Sequence, residues 1–308
     1  MKLTCMDRLP PNFDAFVSEI GAGFEGLYGP AARRQYEQVA RVAMTKSLKQ
    51  PGVNALALWA EDEVAGILLS TLRDYVGKIQ LVHVLAPYLA SDAARLLVEE
   101  SVRTFQAGGV EGILYETVPF CKIDSRPIFA PLGFTCIPRH LMCAPLAAPE
   151  LTDVGPLQSA ACTRQDQPDI ARVIVDCYKD HSDRALHHEV RTLPKALEFV
   201  EEVVNGTYGR SRPGYVRVIR EAGQCVAAVL GCEVAPETGF VIQLVVAPSH
   251  QGRGLGTTLL RELASLYRGV GMARMALGVT QSNRARGLYE RMGFEVLRNV
   301  DAFVWWRP

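Results

Sequence analysis

The sequence predicts an α/β protein with mixed, mostly antiparallel twisted sheets flanked by helices, laid out as two tandem copies of one plan. Three observations predict it. The 308 residues are long for one compact domain and suit two, each able to bury its own core. Apolar runs with hairpin signals alternate with runs of helical period in both halves. Landmarks also recur: Ile79-Gln80-Leu81 with Ile242-Gln243-Leu244, Pro87 with Pro248, and Gly133-Phe134 with Gly293-Phe294, separated by 163, 161 and 160 residues. Small insertions and deletions reconcile those separations, so a duplicated domain is the simplest account.

Pro10 to Gln50 reads as mainly helical, with Phe13, Phe16, Val17 and Ile20 on one face and a glycine-rich break at Gly21 to Gly29. Ala55 to Trp59, the turn Glu61-Asp62-Glu63 and Val64 to Leu69 read as a hairpin, followed by a strand from Lys78 to Leu85. Ser91-Asp92 caps a helix to about Gln106, Gly112 to Tyr115 is a strand, and Ile128 to Phe134 leads into a closing hairpin. Leu146 to Gln158, rich in Ala, Pro and Asp, reads as a linker. The expected domains are therefore 1–147, a linker at 148–158, and 159–308.

The second half repeats the plan. Helices are expected at Asp166 to Tyr178 and Ala196 to Val204, then a hairpin of Tyr215 to Arg220 with Cys225 to Glu233. The strand Val241 to Ala247 enters Gln251-Gly252-Arg253-Gly254-Leu255-Gly256, which opens the long helix from Thr257. Beyond it come the strand Met275 to Val279, a short helix Ala285 to Met292, and a last strand ending at Trp305-Trp306. One of those rings is expected in the core and the other near the pocket or the domain interface; a nucleic-acid stacking platform is the weaker reading.

Thirty-three Lys and Arg balance 33 Asp and Glu, so no global field favours nucleic acid or an anionic membrane. No apolar run is long enough to span a bilayer and Met1-Lys2-Leu3-Thr4-Cys5 has no signal-peptide core, which makes a cytoplasmic protein the expectation. The eight cysteines show neither a Cys-x-x-Cys pair nor zinc-ligand spacing with histidine, so reduced, mostly buried thiols are expected.

The glycine loop is the chemical centre of the chain. A helix N-terminus presents N–H groups that lack intrahelical partners, glycines let the backbone approach an anion closely, and Arg253 adds positive charge. It reads as a cradle for a pyrophosphate. A dinucleotide fingerprint fails, because from Gly252 the third glycine falls one position early and no acidic ribose partner follows at Ala273 to Ala276. The Gly-Lys-Ser/Thr of a P-loop is absent. In the first half, Ala90, Ala93 and Arg95 stand at the positions of Gln251, Gly254 and Gly256, Asp92 at that of Arg253, and Phe129 at that of Tyr289. One working site, in the second half, is expected.

Val245-Val246-Ala247-Pro248, the loop, and Asn283, Ala285, Leu288-Tyr289-Glu290 with Gly293-Phe294 resemble the acyl-CoA and Asn-to-Gly-Phe motifs of the GNAT superfamily, the Gcn5-related N-acetyltransferases. The resemblance covers about Cys162 to Trp306, and the first half by architecture only, as in a tandem GNAT protein with a degenerate N-terminal copy. It implies that the strand before the loop bulges and parts from the strand after the long helix, giving a splayed central pair. It implies acetyl-CoA as co-substrate, with no metal, held by Leu244, Val245, Val246, Gln251, Gly252, Arg253, Gly254, Leu255, Gly256, Thr257, Asn283, Arg286 and Tyr289. The implied reaction is direct acetyl transfer to a primary amine of a small molecule or protein through a tetrahedral intermediate. In it the Val246 N–H serves the oxyanion and Tyr289 is the general acid.

An alkyl amine of pKa about 10.4 must shed a proton at a cost of about 4 to 5 kcal/mol at neutral pH, so a base or a water chain is required. His181, beside Asp180 and Asp183, is the first candidate and Glu233 the second; a solvated loop and a solvated strand end are the plainer readings. Gln243 could hold a relay water. His187-His188-Glu189 reads as a solvated helix face, since adjacent helical residues point about 100° apart and no matching metal ligands are evident. Expected partners are the amine acceptor alone, without nucleic acid or membrane. The chain is expected to be a monomer holding an intramolecular pseudo-dimer of the two copies, with a homodimer as the alternative. The competing functions are an acyl-CoA-binding sensor without turnover and an interaction protein whose first half recruits partners.

Overall fold

The computed structural model describes residues 1–152, 158–179 and 181–308. In chain order the first elements are β1 (Lys2–Cys5), α1 (Phe13–Tyr28), α2 (Pro30–Ser47), β2 (Val53–Ala60), β3 (Glu63–Arg73), β4 (Val76–Val84), α3 (Ala93–Ala107), β5 (Gly112–Glu116), α4 (Arg126–Phe129) and β6 (Thr135–Pro145). Then come α5 (Pro149–Thr152), β7 (Ala160–Ala161), α6 (Gln167–Tyr178), α7 (Leu193–Val204), β8 (Val216–Glu221), β9 (Gln224–Ala235), β10 (Thr238–Val246), α8 (Leu255–Gly269), β11 (Arg274–Thr280), α9 (Arg286–Arg291) and β12 (Glu295–Trp306). The chain forms two compact units, Met1–Pro138 with Val300–Pro308, and Arg139–Asn299.

In the first unit, β1 to β5 pair in sequence order, antiparallel except for the parallel pair β4 and β5. Phe13, Phe16, Val17 and Ile20 of α1 are buried as their spacing predicts. The expected glycine-rich break differs: α1 runs through Gly21, Gly23 and Gly26 and stops only at Gly29, whose φ is +84°. Gly23 serves close packing rather than a turn, because a Cβ there would collide with the Phe120 ring.

The copies match more regularly than their sequence landmarks. Parallel pairing starts at Val76 and Gly112 in the first unit and at Thr238 and Arg274 in the second, 162 residues on in each case. The register shifts leave Gln80 bulged from β4 and Ile242 bulged from β10. Gln80 therefore matches Ile242 and not Gln243, one residue away from the identity match. Asp92 and Gly254 likewise occupy the same N-cap position, before α3 and α8.

The strands that complete each unit come from the other half of the sequence. Residues 302–306 of β12 pair antiparallel with residues 112–116 of β5 in the first unit. Residues 139–145 of β6 pair antiparallel with β11 in the second. The expected closing hairpin around Phe134 is thus replaced by a strand serving the second unit, and Val300–Pro308, assigned by sequence to the domain 159–308, lies in the first. Pairing partners of exposed strand edges are chosen by tertiary fit, which local patterning does not encode.

The start of the expected linker is built into the second core. Leu151 is fully buried, Arg268 donates to the Leu146 and Leu151 carbonyls at 3.0 and 3.1 Å, and Arg261 donates to the Glu150 carbonyl at 2.8 Å. Residues 153–157 of that linker lie outside the described residues. Beyond them, Glu262 of α8 accepts from the Gln158 N–H at 2.6 Å, from the Ser159 N–H at 3.3 Å, from the Ser159 hydroxyl, and from Arg217 Nε at 3.2 Å. Both charges are buried, Glu262 at 1% exposure and Arg217 at 7%. Glu262→Ala leaves the buried guanidinium its bonds to the Ser159 hydroxyl and carbonyl but no counter-charge, and a loss of about 3 to 5 kcal/mol is expected in urea unfolding. A loss below about 1 kcal/mol would mean that water or a neighbour rescues Arg217.

All eight cysteines are free thiols: Cys225 and Cys232 are buried, Cys5 is exposed and the others are half-buried. Among the described residues no helix is long and apolar enough to cross a membrane.

Candidate active site

The second unit carries a gap in its own sheet. Residues 238–241 of β10 pair with residues 274–277 of β11, and there the pairing ends although β10 runs on to Val246 and β11 to Thr280. The bulge at Ile242 turns the strand just past that point. The Ala247 N–H donates to the Val226 carbonyl at 2.8 Å, so by antiparallel alternation Leu244 and Val246 point their backbone groups away from β9, into the gap. The Val246 carbonyl accepts from Gln251 Nε2 at 3.1 Å and from the Cys177 thiol at 3.2 Å. Those two bonds fix the peptide that ends the strand.

The glycine loop follows directly. Gly252 and Gly254 adopt φ of +77° and +81°, and a Cβ at either would have nothing within 4 Å. Their glycines serve a left-handed backbone facing open space. Gly254 caps α8 with no side-chain bond, so the first-turn N–H groups of Leu255, Gly256 and Thr257 have no intrahelical acceptor. Gly256 has a different task, because a Cβ there would lie 3.3 Å from Leu288 and 3.6 Å from Leu244. Arg253 is engaged by Glu221 at 3.1 Å, and His250 reaches the same carboxylate at 3.3 Å. The positive charge that the sequence places near the loop is accordingly offset.

The equivalent place in the first unit is remade. Its β4 and β5 also stop pairing after Ile79 and Tyr115, but the Cys121 thiol donates to the Val82 carbonyl at 3.8 Å, on the part of β4 that no longer pairs with β5. Asp92 stands where Gly254 stands, with φ of −73°.

Tyr289 of α9 is buried at 8% exposure, its ring edge-on to Phe294 with centroids 5.9 Å apart. Burial, with Tyr178 and Asp183 nearby, pushes its phenol well above the ordinary tyrosine value. It therefore stays protonated at neutral pH. Asn283 donates to Asp183 Oδ2 at 3.0 Å and accepts the Ala285 N–H at 2.8 Å, joining the entry of α9 to the turn after α6. Gln243 donates to the Tyr178 hydroxyl at 2.9 Å, and burial pushes that phenol up to about 12.

His181 lies beside Tyr178, ring centroids 5.3 Å apart, and its Nδ1 accepts the Asp183 N–H at 3.1 Å. Asp180, its other expected neighbour, is outside the described residues. The expected solvated helix face at His187-His188-Glu189 is not found. Residues 188–190 form a 3-10 turn in which Glu189 meets His187 Nδ1 at 2.9 Å and His188 Nδ1 at 3.2 Å, with about a quarter or less of each side chain exposed.

The structure gathers Leu244, Val245, Val246, Gln251 to Thr257, Asn283 and Tyr289 around the gap and the loop, but not Glu233. Glu233 faces Gly239 at the start of β10, beyond the closed end of the gap, held by Arg212 and by the Tyr215 hydroxyl at 2.9 Å. Arg286 is half-exposed and pairs with Glu290 at 2.7 Å. Sequence reasoning missed Cys177, Tyr178 and Arg139. The first two end a helix it located, so the helix terminus was a usable signal. Arg139, on β6 of the second unit and buried 3.1 Å from where a Gly278 Cβ would sit, comes from a strand assigned to the first copy.

Residues 177–294 match the model of the acetyltransferase (GNAT) family. A ribosomal protein bS18-alanine N-acetyltransferase of Haemophilus influenzae is 33% identical over 63 residues, 20% of this chain and 43% of that protein. The chain thus spans less than half the length of that curated relative. A GCN5-related N-acetyltransferase from Sphaerobacter thermophilus superposes with a TM-score of 0.70 at 19% identity, over 99% of this chain and 96% of that one. A tandem GNAT protein from the clavulanic acid biosynthesis pathway gives 0.62 at 16% identity, over 100% and 99%. At such identities these two show the fold, and they show it for the whole length.

Proposed function

Because its residues 177–294 belong to the GNAT acetyltransferase family, we propose that this chain is an acetyl-CoA-dependent N-acetyltransferase acting on a primary amine of a small molecule or protein. The observation that carries the reading is the open left-handed loop at Gly252 and Gly254, placed at the N-terminus of α8 just past the gap between β10 and β11. The fit is chemical. Backbone N–H groups at Arg253 to Gly256 suit a pyrophosphate, and strand-like backbone at Leu244 to Val246 suits the amide-bearing pantetheine arm. Acetyl-CoA, when bound, supplies the thioester as acetyl donor.

The residues of the chain supply the rest. The Val246 N–H, steadied through its own carbonyl by Gln251 and Cys177, offers a donor to the oxygen where charge develops. Tyr289, kept un-ionised by burial, holds a proton for the leaving sulfur at neutral pH. Tyr289→Phe is expected to slow turnover by about 10- to 100-fold while acetyl-CoA binding is unchanged, read by single-turnover thiol release and calorimetry. Equal turnover in the two proteins would remove Tyr289 from the chemistry.

Thiol release from acetyl-CoA, measured across polyamines, aminoglycosides, amino acids and peptides with a free N-terminal alanine or a lysine, tests the reading. Saturable release with at least one of these amines is expected. Tight acetyl-CoA binding with no release across the panel would make the chain an acyl-CoA sensor.

A further inference from the structure

The hydrogen bonds around Tyr178 decide which imidazole in this cleft can take a proton. His181 Nδ1 accepts the Asp183 backbone N–H at 3.1 Å. A backbone N–H only donates, so the neutral ring carries its proton on Nε2 and uses its lone pair on the backbone. In that form the Nδ1 lone pair of His181 is engaged by the main chain and its Nε2 bears the proton.

His187 is held the other way round. Its Nδ1 lies 2.9 Å from Glu189 Oε1. Burial alone would raise the Glu189 carboxyl, but the charge and hydrogen bond of His187, joined by His188, hold it well below its ordinary value. An ionised carboxylate only accepts, so Nδ1 donates; in the neutral ring Nε2 then keeps its lone pair, and in the charged ring Nε2 carries the proton. The His187 ring stands edge-on to Tyr178 at 5.6 Å, and the Tyr178 hydroxyl is tied to Gln243, the residue after the bulge in β10. One side chain therefore separates the His187–Glu189 pair from the strand that lines the gap.

We infer that His187, oriented by Glu189, is the general base that takes the proton of the acceptor amine, an inference that rests on the acetyltransferase reading of the same cleft. The acceptor enters as an alkylammonium. One of its N–H protons passes to His187 Nε2 and on to water, freeing the nitrogen pair. That pair forms the N–C bond to the acetyl carbon, and the C–S bond breaks with its electrons on sulfur. Sulfur takes a proton from Tyr289, which is restored by the second proton lost from nitrogen. Amide, thiol and one released proton then balance. Glu189 is a positioning residue, fixing the tautomer.

The test uses the full chain, acetyl-CoA and the best alkylamine from the panel, with His187→Gln, His187→Ala, His181→Gln and Glu189→Gln. His187→Gln is expected to lower kcat about 100-fold and to leave the KM for acetyl-CoA within about twofold. His181→Gln is expected to stay within about threefold of the parent, and added imidazole is expected to restore turnover to His187→Ala. Glu189→Gln is expected to lower kcat while leaving the KM for acetyl-CoA unchanged. If His187→Gln loses its fold by circular dichroism, imidazole rescue of His187→Ala decides the matter, and its absence overturns the inference. Parent-like kcat in His187→Gln overturns the inference and leaves the acetyltransferase reading intact. A parent protein that binds acetyl-CoA but acetylates no amine overturns both.

Discussion

A fragment of residues 159–308, the domain that the sequence outlines, is expected to emerge aggregated and without a cooperative unfolding transition. The fragment lacks residues 139–145, so β11 would present an unpaired edge along its whole length, a template for intermolecular pairing. It also lacks Met142, Ala144, Leu146 and Leu151, each 0 to 1% exposed in the core around α8. Burying Met142, Leu146 and Leu151 contributes about 2 kcal/mol each, about 6 kcal/mol together, against a typical net stability of about 5 to 15 kcal/mol. Residues 302–306 would be left without β5 as well. Size-exclusion chromatography and thermal unfolding by circular dichroism check this. A monodisperse fragment 159–308 with parent-like acetyl-CoA turnover would contradict the strand assignment.

Gly254→Asp is expected to abolish acetyl-CoA binding while the fold survives. The φ of +81° costs a non-glycine residue about 1 to 2 kcal/mol, and Asp is among the side chains that tolerate it best. A Cβ there meets nothing within 4 Å, so the loss is not steric. The decisive term is charge. A carboxylate about 4 Å from a pyrophosphate oxygen repels it by about 4 kcal/mol at an effective dielectric of 20, about a thousandfold in affinity. Isothermal calorimetry reads that loss, with Gly254→Asn as the neutral control that keeps most of the affinity. The first unit has already made this exchange, with Asp92 at the matching N-cap. Undiminished binding in Gly254→Asp would move the phosphate site away from the loop.

Much of the site could be read from sequence because its parts are local. Gln251 to Gly256 need a left-handed turn at a helix start, a requirement that only glycine meets cheaply, and Asn283 to Phe294 are close in the chain. The bases were not legible in the same way. His181 looked the better candidate because aspartates flank it, yet the Asp183 main chain occupies its Nδ1. His187 looked like part of a solvated helix, yet a 3-10 turn folds Glu189 between two imidazoles. Glu233 looked close to the cleft because it ends a strand, yet it stands at the closed end of the β10 and β11 pair, held by Arg212 and Tyr215. Each outcome turns on a hydrogen bond or a strand register, and residue spacing specifies neither.

By itself the sequence determined the duplicated α/β plan, the glycine loop, the companion segment carrying Tyr289 and the loss of the loop in the first copy. Those features depend on residue type at short range, through helix period, capping and backbone freedom. Tertiary structure alone decided that residues 139–145 complete the second sheet and residues 302–306 the first, that the copies align at 162 residues, and which imidazole keeps its lone pair. The physical reason is that strand edges and imidazole tautomers take their partners from whatever the folded chain brings beside them, at sequence separations where local pattern carries no energy.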